Sequence, residues 1–272
     1  MRGRKIGLAL GGGGARGLAH IGVLNVLQSE GIYADMIAGT SAGAFVGALC
    51  AQRKDCNLIK ELVTSVDWKR AVSLVDLVVP KTGLLGGRKI KDWLGLVIGG
   101  DIKFSDLKIP FACVAADINT GEEVIINQGS VLEGVRASIS VPGIFTVVRW
   151  KGRYLVDGGL VNPVPVSVVK EMGADFIIAV NVIPDVGEMI PHRDEEGKRD
   201  LKEPNIFAVL LQSLNIGTYA LAKSSMEGAD VTIHPQVAHI HPAEFRRTKE
   251  CILQGELAAQ GSIPEIKRLL EA

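Results

Sequence analysis

The chain has 272 residues, 47% of them hydrophobic and 5% aromatic, with a mean hydropathy of +0.25. A chain of this size and composition can bury one large core of small and branched aliphatic side chains, so we expect a single domain over residues 1–272. Thirty acidic and thirty basic residues cancel. This balance removes the electrostatic reason to expect nucleic-acid binding and limits any attraction to a membrane to local patches.

The sequence contains four cysteines, Cys50, Cys56, Cys113 and Cys251. They show neither a CxxC pair nor the spacing of metal ligands, which indicates reduced thiols in a cytosolic protein. Residues 1–5 are basic, but the apolar run at residues 6–10 is shorter than the roughly 7–15 residues of a signal peptide. No stretch approaches the roughly 18 apolar residues of a membrane-spanning helix. We therefore expect a cytoplasmic protein, with peripheral contact as its one route to a membrane.

The first fifty residues alternate between strand and helix patterns. Residues 5–10 predict a strand that glycines end, and residues 18–29 predict a largely buried helix. Residues 34–38 predict a second buried strand, and residues 44–50 a second buried helix. This order favours a parallel sheet with right-handed crossovers, in which the two glycine-containing turns face each other at one edge.

The middle of the chain is less regular. Residues 58–66 and 88–97 predict amphipathic helices, and the apolar segment at residues 75–85 between them either covers a site or fills the core. Two hairpins are then expected. The first joins residues 109–117 to residues 122–127.

The second hairpin joins residues 146–150 to residues 153–156 and ends directly before Asp157. Between the hairpins and beyond them the patterns predict helices at residues 131–138, 164–172, 206–226 and 263–270, and strands at residues 176–183 and 231–234. The charged, proline-containing residues 186–204 predict a mobile surface loop. Together these elements predict a three-layer α/β/α fold with a mainly parallel central sheet.

The pentapeptide GTSAG at residues 39–43 lies between a predicted strand and a predicted helix. This is the pattern of a nucleophile elbow, a turn so tight that side chains in place of Gly39 and Gly43 would collide with neighbouring backbone. It predicts Ser41 as a nucleophile. The alternative is a chance match, because the chain contains 32 glycines.

The glycine-rich loop at residues 11–17 allows two interpretations. Gly12, Gly14 and Gly17 match the GxGxxG fingerprint of dinucleotide-binding proteins. That fingerprint also needs an acidic residue at the end of the second strand, whereas Asp35 stands at its beginning. The dinucleotide interpretation is therefore the weaker one.

The second interpretation is an oxyanion hole beside Ser41. Consecutive residues without side chains at a helix N-terminus, here Gly12, Gly13 and Gly14, expose backbone N–H groups to one point, where the helix dipole also favours negative charge. Arg16 either adds positive charge at the mouth of this site or is a solvated arginine in the first turn of the helix.

A serine nucleophile needs a base. The chain has five histidines, His20, His192, His234, His239 and His241, and none has a persuasive context. Asp157, by contrast, directly follows a predicted strand and precedes Gly158 and Gly159. A buried carboxylate with a raised pKa can act as the base if it lies within hydrogen-bond reach of the hydroxyl. The alternative for Asp157 is an aspartate that merely begins a turn.

Three motifs in this order, GGGARG at 12–17, GTSAG at 39–43 and DGG at 157–159, resemble the patatin-like phospholipase family. ASISVPGIF at residues 137–145 is similar to a further block of that family. The resemblance covers about residues 5–185 and is to the small bacterial members. Gly11 departs from the plant patatins, which carry an acidic residue there.

The resemblance implies a hydrolase of lipid acyl esters, a phospholipase or lysophospholipase, with Ser41 as nucleophile and Asp157 as base. It implies an oxyanion hole from the amides of residues 12–14 with Arg16 beside it, and neither metal nor cofactor. Gly17, Gly39, Gly43, Gly158 and Gly159 would support the motifs. Residues 75–85 and the helix at 206–226 are expected to line an apolar trough for the acyl chain. A lipid-binding or regulatory protein without catalysis is the alternative.

Overall fold

The computed structural model describes residues 4–52, 56–65, 83–85, 87–100, 102–184, 203 and 205–272. Its strands are β1 (Ile6–Leu10), β2 (Met36–Thr40), β3 (Gly83–Leu85), β4 (Phe111–Asp117), β5 (Glu123–Ile126), β6 (Gly143–Phe145), β7 (Val148–Trp150), β8 (Arg153–Asp157), β9 (Phe176–Val180) and β10 (Val231–Ile233). Its helices are α1 (Ala19–Ser29), α2 (Ala42–Ala51), α3 (Cys56–Thr64), α4 (Arg88–Ile98), α5 (Val131–Ser138), α6 (Val166–Glu171), α7 (Ile206–Ser225) and α8 (Thr248–Glu271). Short 3₁₀ helices at Gly14–Leu18, Phe104–Asp106, Gly158–Leu160 and Phe245–Arg247 complete the described elements.

The described strands build an eight-stranded sheet whose hydrogen-bonded neighbours follow in the order β10-β9-β1-β2-β4-β8-β7, with β5 also paired to β4. The five strands from β10 to β4 are parallel, whereas β5, β7 and β8 are antiparallel to their neighbours. The short strands β3 and β6 form a separate parallel pair. The prediction of a mainly parallel central sheet is therefore confirmed.

The sheet is covered by helices on both faces, because successive side chains along a strand point to opposite sides. In β9, Phe176, Ile178 and Val180 pack into the larger core with α1, α2 and α8, whereas Ile177 and Ala179 pack into the smaller core with α6. Because both faces are buried, these strands consist of continuous apolar runs. The predicted three-layer α/β/α arrangement is confirmed.

One feature of the sheet brings two chain segments together at its centre. β4 pairs with β2 up to the contact between Val114 and Thr40, and it pairs with β8 from the contact between Ala115 and Asp157 onwards. Since β5 occupies the other side of β4 at both levels, β2 and β8 share one edge of β4 and meet end to end there. The residues that follow β2 therefore lie beside the end of β8.

The predicted elements up to β10 agree with the structure in type, and both hairpins are confirmed. The final helix differs most, because α8 has 24 residues and begins at Thr248 rather than near residue 263. Its interior contains Gly255, Gly261 and Pro264, residues that weaken a helical pattern in the sequence. The predicted mobile loop lies outside the described residues except for Glu203, and so does most of the 75–85 segment.

The reason for the long α8 is its close packing against α1. A Cβ atom on Gly22 would lie 2.0 Å from the carbonyl oxygen of Ile252, and one on Gly255 would lie 2.0 Å from the carbonyl oxygen of Ala19. Each helix thus presents a glycine where the other helix's backbone passes. This contact fixes the C-terminal helix on the face of the sheet that carries α1.

We expect Gly255→Ala to lower the free energy of unfolding by about 1–3 kcal/mol, because the added methyl group must push the two helices apart. Gly261→Ala in the same helix is the matched control, since no atom lies within 4 Å of the position of its new Cβ. The control should stabilise the protein by about 0.5–1 kcal/mol through helix propensity. Urea unfolding followed by circular dichroism measures both, and equal stability of the two variants would contradict the proposed contact.

Candidate active site

Ser41 lies in a strained turn between β2 and α2. Its φ of 54° and ψ of −118° fall outside the favoured regions, a conformation that costs about 1–3 kcal/mol and that the surrounding structure must enforce. A Cβ on Gly39 would lie 2.5 Å from the carbonyl oxygen of Gly43, and a Cβ on Gly43 would lie 2.1 Å from that of Leu10. The predicted collision of side chains at both flanking positions is confirmed.

Asp157 ends β8 and contacts Ser41 directly. The Ser41 hydroxyl donates a hydrogen bond of 2.5 Å to Oδ2 of Asp157, and the amide of Gly159 donates one of 2.8 Å to Oδ1. Both side chains are buried. Burial raises the pKa of Asp157 to about 6, although the bonds from Ser41 and Gly159 act in the opposite direction.

The direction of β8 relative to β4 has no signature in the sequence. β8 runs antiparallel to β4 and reaches the shared edge from the opposite side. At Gly158 the chain leaves the sheet and enters a 3₁₀ helix. It passes so close to β4 that a Cβ atom on Gly158 would lie 2.3 Å from the carbonyl oxygen of Val114. The serine and the aspartate meet because β2 and β8 end at adjacent residues of β4.

The segment at residues 137–145 holds both side chains in position. Ser138 Oγ accepts a hydrogen bond of 2.8 Å from the amide of Ser41 and donates one of 2.6 Å to the carbonyl of Val114. The amide of Asp157 donates to the carbonyl of Ser140 at 3.0 Å. In the sequence, residues 137–145 are identified only by their similarity to a family motif, and no role is predicted for Ser138. Its position beside the motif serine becomes visible only once α5 packs against β4.

Arg136 fixes the same segment from within the protein. Its Nη1 donates to Ser140 Oγ at 2.6 Å, its Nη2 donates to the carbonyl of Thr146 at 3.2 Å, and its guanidinium lies 5.4 Å from the ring centroid of Phe145. Burial lowers the pKa of Arg136 to about 10. Arg136 is not among the predicted site residues, because a single arginine in a predicted helix has the same sequence pattern whether it is buried or solvated.

The glycine loop passes directly beside Ser41. A Cβ on Gly12 would lie 3.3 Å from that of Ser41. The amide of Gly12 donates to the carbonyl of Pro163 at 3.0 Å, so it is already engaged, in contrast to our expectation of a free donor there. The amides of Gly13 and Gly14 have no acceptor among the described residues.

Two other predicted positions in and after the loop are explained by close approach. A Cβ on Gly14, whose φ is +60°, would lie 2.5 Å from the carbonyl oxygen of Pro242. A Cβ on Gly17 would lie 2.3 Å from that of Ala42. The loop is therefore pressed between the first turn of α2 and a segment near the end of the chain, a contact that only glycine permits.

Arg16 is buried and connects the glycine loop to the C-terminal segment. Its Nε donates to the carbonyl of Ile240 at 2.5 Å and its Nη2 to that of Ala238 at 3.3 Å, while the amide of Ala15 donates to the carbonyl of Pro242 at 2.7 Å. Burial lowers the pKa of Arg16. Of the two alternatives for Arg16, the solvated arginine is excluded, because the guanidinium is buried and anchored to backbone carbonyls far along the chain.

The hydrogen bonds of His20, His239 and His241 join groups other than Ser41. His20 is buried beneath the loop, where its Nε2 lies 2.7 Å from the carbonyl oxygen of Gly11, and burial lowers its pKa to about 4. His239 and His241 are exposed, as predicted, and His192 lies outside the described residues. His20 thus stabilises the glycine loop through this contact with the Gly11 carbonyl.

A cavity of about 720 Å³ opens onto Ser41 and Asp157. Most of its lining is apolar, including Phe45, Ile90, Trp93, Val141, Ile144, Phe145 and Leu160. Leu211, Leu214 and Thr218 of α7 form part of the wall, which agrees with the expected role of that helix. The other expected wall, residues 75–85, has no described side chains. Among the described residues no group of three or more His, Cys, Asp or Glu side chains is placed to hold a metal ion.

The fold is that of a three-layer α/β protein with a buried serine at a strand-to-helix turn. A family model described as patatin-like phospholipase matches residues 8–170, which is more than half of the 272 residues. The chain therefore belongs to the patatin-like phospholipase family. The matched residues include the glycine loop, Ser41 and Asp157.

Individual relatives agree with this assignment. The chain is 34% identical over 217 residues to an uncharacterized NTE family protein of Mycobacterium tuberculosis, covering 80% of this chain and 57% of that protein. It is 37% identical over 190 residues to the neuropathy target esterase sws of Drosophila melanogaster, covering 67% of this chain and 13% of that protein. The solved structure of VipD from Legionella pneumophila is 13% identical with a TM-score of 0.46, over 94% of this chain and 67% of that one. The chain thus spans little more than half the length of the mycobacterial relative.

We expect Ser138→Ala to lower the free energy of unfolding by about 1–3 kcal/mol, because the buried amide of Ser41 loses its hydrogen-bond partner. Ser130→Ala is the matched control, since the buried hydroxyl of Ser130 has no partner among the described residues. The control should change stability by less than about 0.5 kcal/mol. Thermal and urea unfolding of both variants check this, and a neutral Ser138→Ala would show that the bond contributes nothing.

Proposed function

We propose that the protein is a serine acyl hydrolase that cleaves fatty acyl esters of lipids through Ser41 and Asp157. The observation that carries the proposal is the 2.5 Å hydrogen bond between the Ser41 hydroxyl and the buried Asp157 carboxylate at an apolar cavity of about 720 Å³. The name of the Drosophila relative, an esterase, supports ester cleavage.

In the first step, Asp157 Oδ2 takes the hydroxyl proton while Ser41 Oγ attacks the ester carbonyl carbon. The C=O electron pair moves to the carbonyl oxygen, and collapse of this tetrahedral oxyanion breaks the bond to the alcohol, which leaves with the proton from Asp157. The acyl group remains on Ser41. A water molecule then loses a proton to Asp157 as it attacks the acyl carbonyl carbon. Collapse of this second tetrahedral oxyanion breaks the bond to Ser41 Oγ, which takes the proton back from Asp157, and the fatty acid leaves.

Asp157 is suited to act without a histidine. A general base works best when its pKa lies near the working pH, and burial raises the pKa of Asp157 to about 6. The bond from Gly159 to Oδ1 orients the carboxylate, so that Oδ2 is the atom that faces Ser41. The same carboxylate can act in both half-reactions, because it lies within hydrogen-bond distance of the Ser41 oxygen, where the acyl bond forms and breaks.

We propose the amides of Gly13 and Gly14 as the donors that stabilise the oxyanion. They lie in the loop that passes Ser41, at the N-terminus of the 3₁₀ helix Gly14–Leu18, and have no acceptor among the described residues. Losing one such donor typically costs about 3 kcal/mol of barrier. Gly12 contributes by allowing the close approach, since its own amide is bonded to Pro163. Arg16 contributes by anchoring the loop.

We also propose that residues 1–272 form one domain, because α8 packs against α1 and β10 joins the main sheet. The four free cysteines support a cytoplasmic location. The apolar lining of the cavity suits a fatty acyl chain. The proposed mechanism uses neither a metal nor a cofactor. Access to lipid implies peripheral contact with a membrane.

We expect wild-type protein to hydrolyse p-nitrophenyl esters at rates that rise with acyl chain length, and to be labelled at Ser41 by a fluorophosphonate probe. Ser41→Ala should lose both hydrolysis and labelling while remaining folded, which circular dichroism checks. Ser65→Ala, which removes a hydroxyl that donates to the carbonyl of Leu62 and does not line the cavity, is the control and should retain both. Absence of both labelling and turnover in the wild type would contradict the proposed mechanism and favour the lipid-binding alternative, because a protein that only binds lipid should not react with the probe at Ser41.

The pH dependence of kcat/KM should report Asp157. A base must be deprotonated to act, so kcat/KM should rise with pH and level off above a midpoint near 6, the raised pKa of this carboxyl. Asp157→Asn should lower kcat by about 10²–10⁴-fold and abolish the inflection. His241→Gln, which changes the histidine at the cavity wall, should leave the midpoint in place. A midpoint that disappears in the histidine variant would assign the base to His241 instead.

A further inference from the structure

α7 is an unusual surface helix. It has 20 residues, and the sequence contains no charged side chain from Ile206 to Ala222. A helix on the surface of a globular protein normally has one apolar face and one polar, charged face. A helix that is apolar all round is normally buried on every side.

The inner face of α7 is explained by the cavity. Leu211, Leu214 and Thr218 line it, and Ala222 is buried one turn further on. Ser225 Oγ lies within 3.2 Å of the amide of Val164 and accepts its hydrogen bond, which anchors the end of the helix to the loop before α6. This face therefore packs against the body of the protein.

The outer face of α7 is apolar and exposed. Ile206 is 74% exposed, Leu210 is 57% exposed and Ile216 is 53% exposed. Val209 and Leu221 lie on the same side and are also exposed. Because these residues recur around one side of the helix, they form a continuous apolar strip rather than scattered surface residues, and such strips mark interaction sites.

We propose that this strip, the outer face of α7, docks onto the surface of a lipid bilayer. The proposal rests on the function proposed above in one respect: the substrate is a lipid, and the helix whose inner face lines its cavity is the one whose outer face is apolar. A lipid leaving the bilayer beside α7 would enter a cavity with the same apolar wall. A protein partner would bury the strip without explaining this continuity.

The helix would lie in the plane of the membrane surface. At about 1.5 Å per residue it is about 30 Å long, and its apolar face would insert about 5–10 Å into the boundary between headgroups and acyl chains. Among the described residues no helix is long and apolar enough to cross a bilayer, which agrees with an interfacial rather than a spanning arrangement.

The charges described at the ends of α7 predict no preference for the charge of the lipid headgroup. Glu203 and Glu227 flank the helix, and Lys223 lies in its last turn. Mixed charges of this kind give no net attraction to anionic headgroups. Docking should therefore depend on apolar burial, with equal affinity for neutral and anionic vesicles and little change between low and high salt.

The test measures binding of Ser41→Ala protein, which leaves the vesicles chemically intact, to phosphatidylcholine vesicles by co-sedimentation. Adding Leu210→Asn and Ile216→Asn should weaken partitioning at least tenfold. The matched control adds Leu253→Asn and Leu257→Asn on α8, two leucines that are 49% and 52% exposed but do not line the cavity. This control should bind as tightly as the parent protein.

With an active Ser41, the Leu210→Asn/Ile216→Asn variant should cleave a short, water-soluble ester at the wild-type rate and a long-chain ester in vesicles at least tenfold more slowly. Binding of this variant at the parent affinity, or failure of the parent to bind vesicles, would overturn docking. So would a dimer that the two substitutions dissociate, because it would assign the strip to a second copy of the chain. If no ester is cleaved but the variant still loses vesicle binding, the hydrolase proposal fails and docking stands.

Discussion

The arrangement around Ser41 depends on two strands that share one edge of β4. β2 arrives from one direction and ends opposite Val114, while β8 arrives from the other and ends opposite Ala115. The hydrogen-bond ladder of β4 therefore sets the separation of Ser41 and Asp157, which does not depend on the conformation of a long loop. A position fixed by ladder hydrogen bonds is more precise than one held by a flexible loop.

This edge also explains how the protein tolerates an unfavourable local conformation. Ser41 has a positive φ and Asp157 is buried with a raised pKa, and both features cost free energy. The cost is offset nearby, where Ser138 bonds the amide of Ser41 and Ser140 bonds the amide of Asp157. Strain at a site persists only where its neighbours over-determine the geometry, and here one short segment restrains both residues.

The sequence predicts the parts of this site that depend on side-chain pattern or on the absence of a side chain. Apolar runs gave the strands, and the glycines around Ser41 gave the turn, because a Cβ there collides with backbone. The sequence does not predict that β8 runs antiparallel to β4, since an aspartate after a strand has the same pattern in either direction. It also could not predict the anchoring of Arg16 to Ala238 and Ile240, because backbone carbonyls have no signature in the sequence.

The division between rigid and variable parts follows from the same geometry. Ser41 and Asp157 stand at strand ends, whereas much of the cavity wall comes from α7 and α4, which contact the sheet little. Changes in these helices can alter the shape of the cavity without moving Ser41 relative to Asp157. α7 is apolar both where it lines the cavity and where it is exposed. Because the two faces belong to one 20-residue element with a single orientation, a shift of the helix that reshapes the cavity also moves the exposed apolar strip.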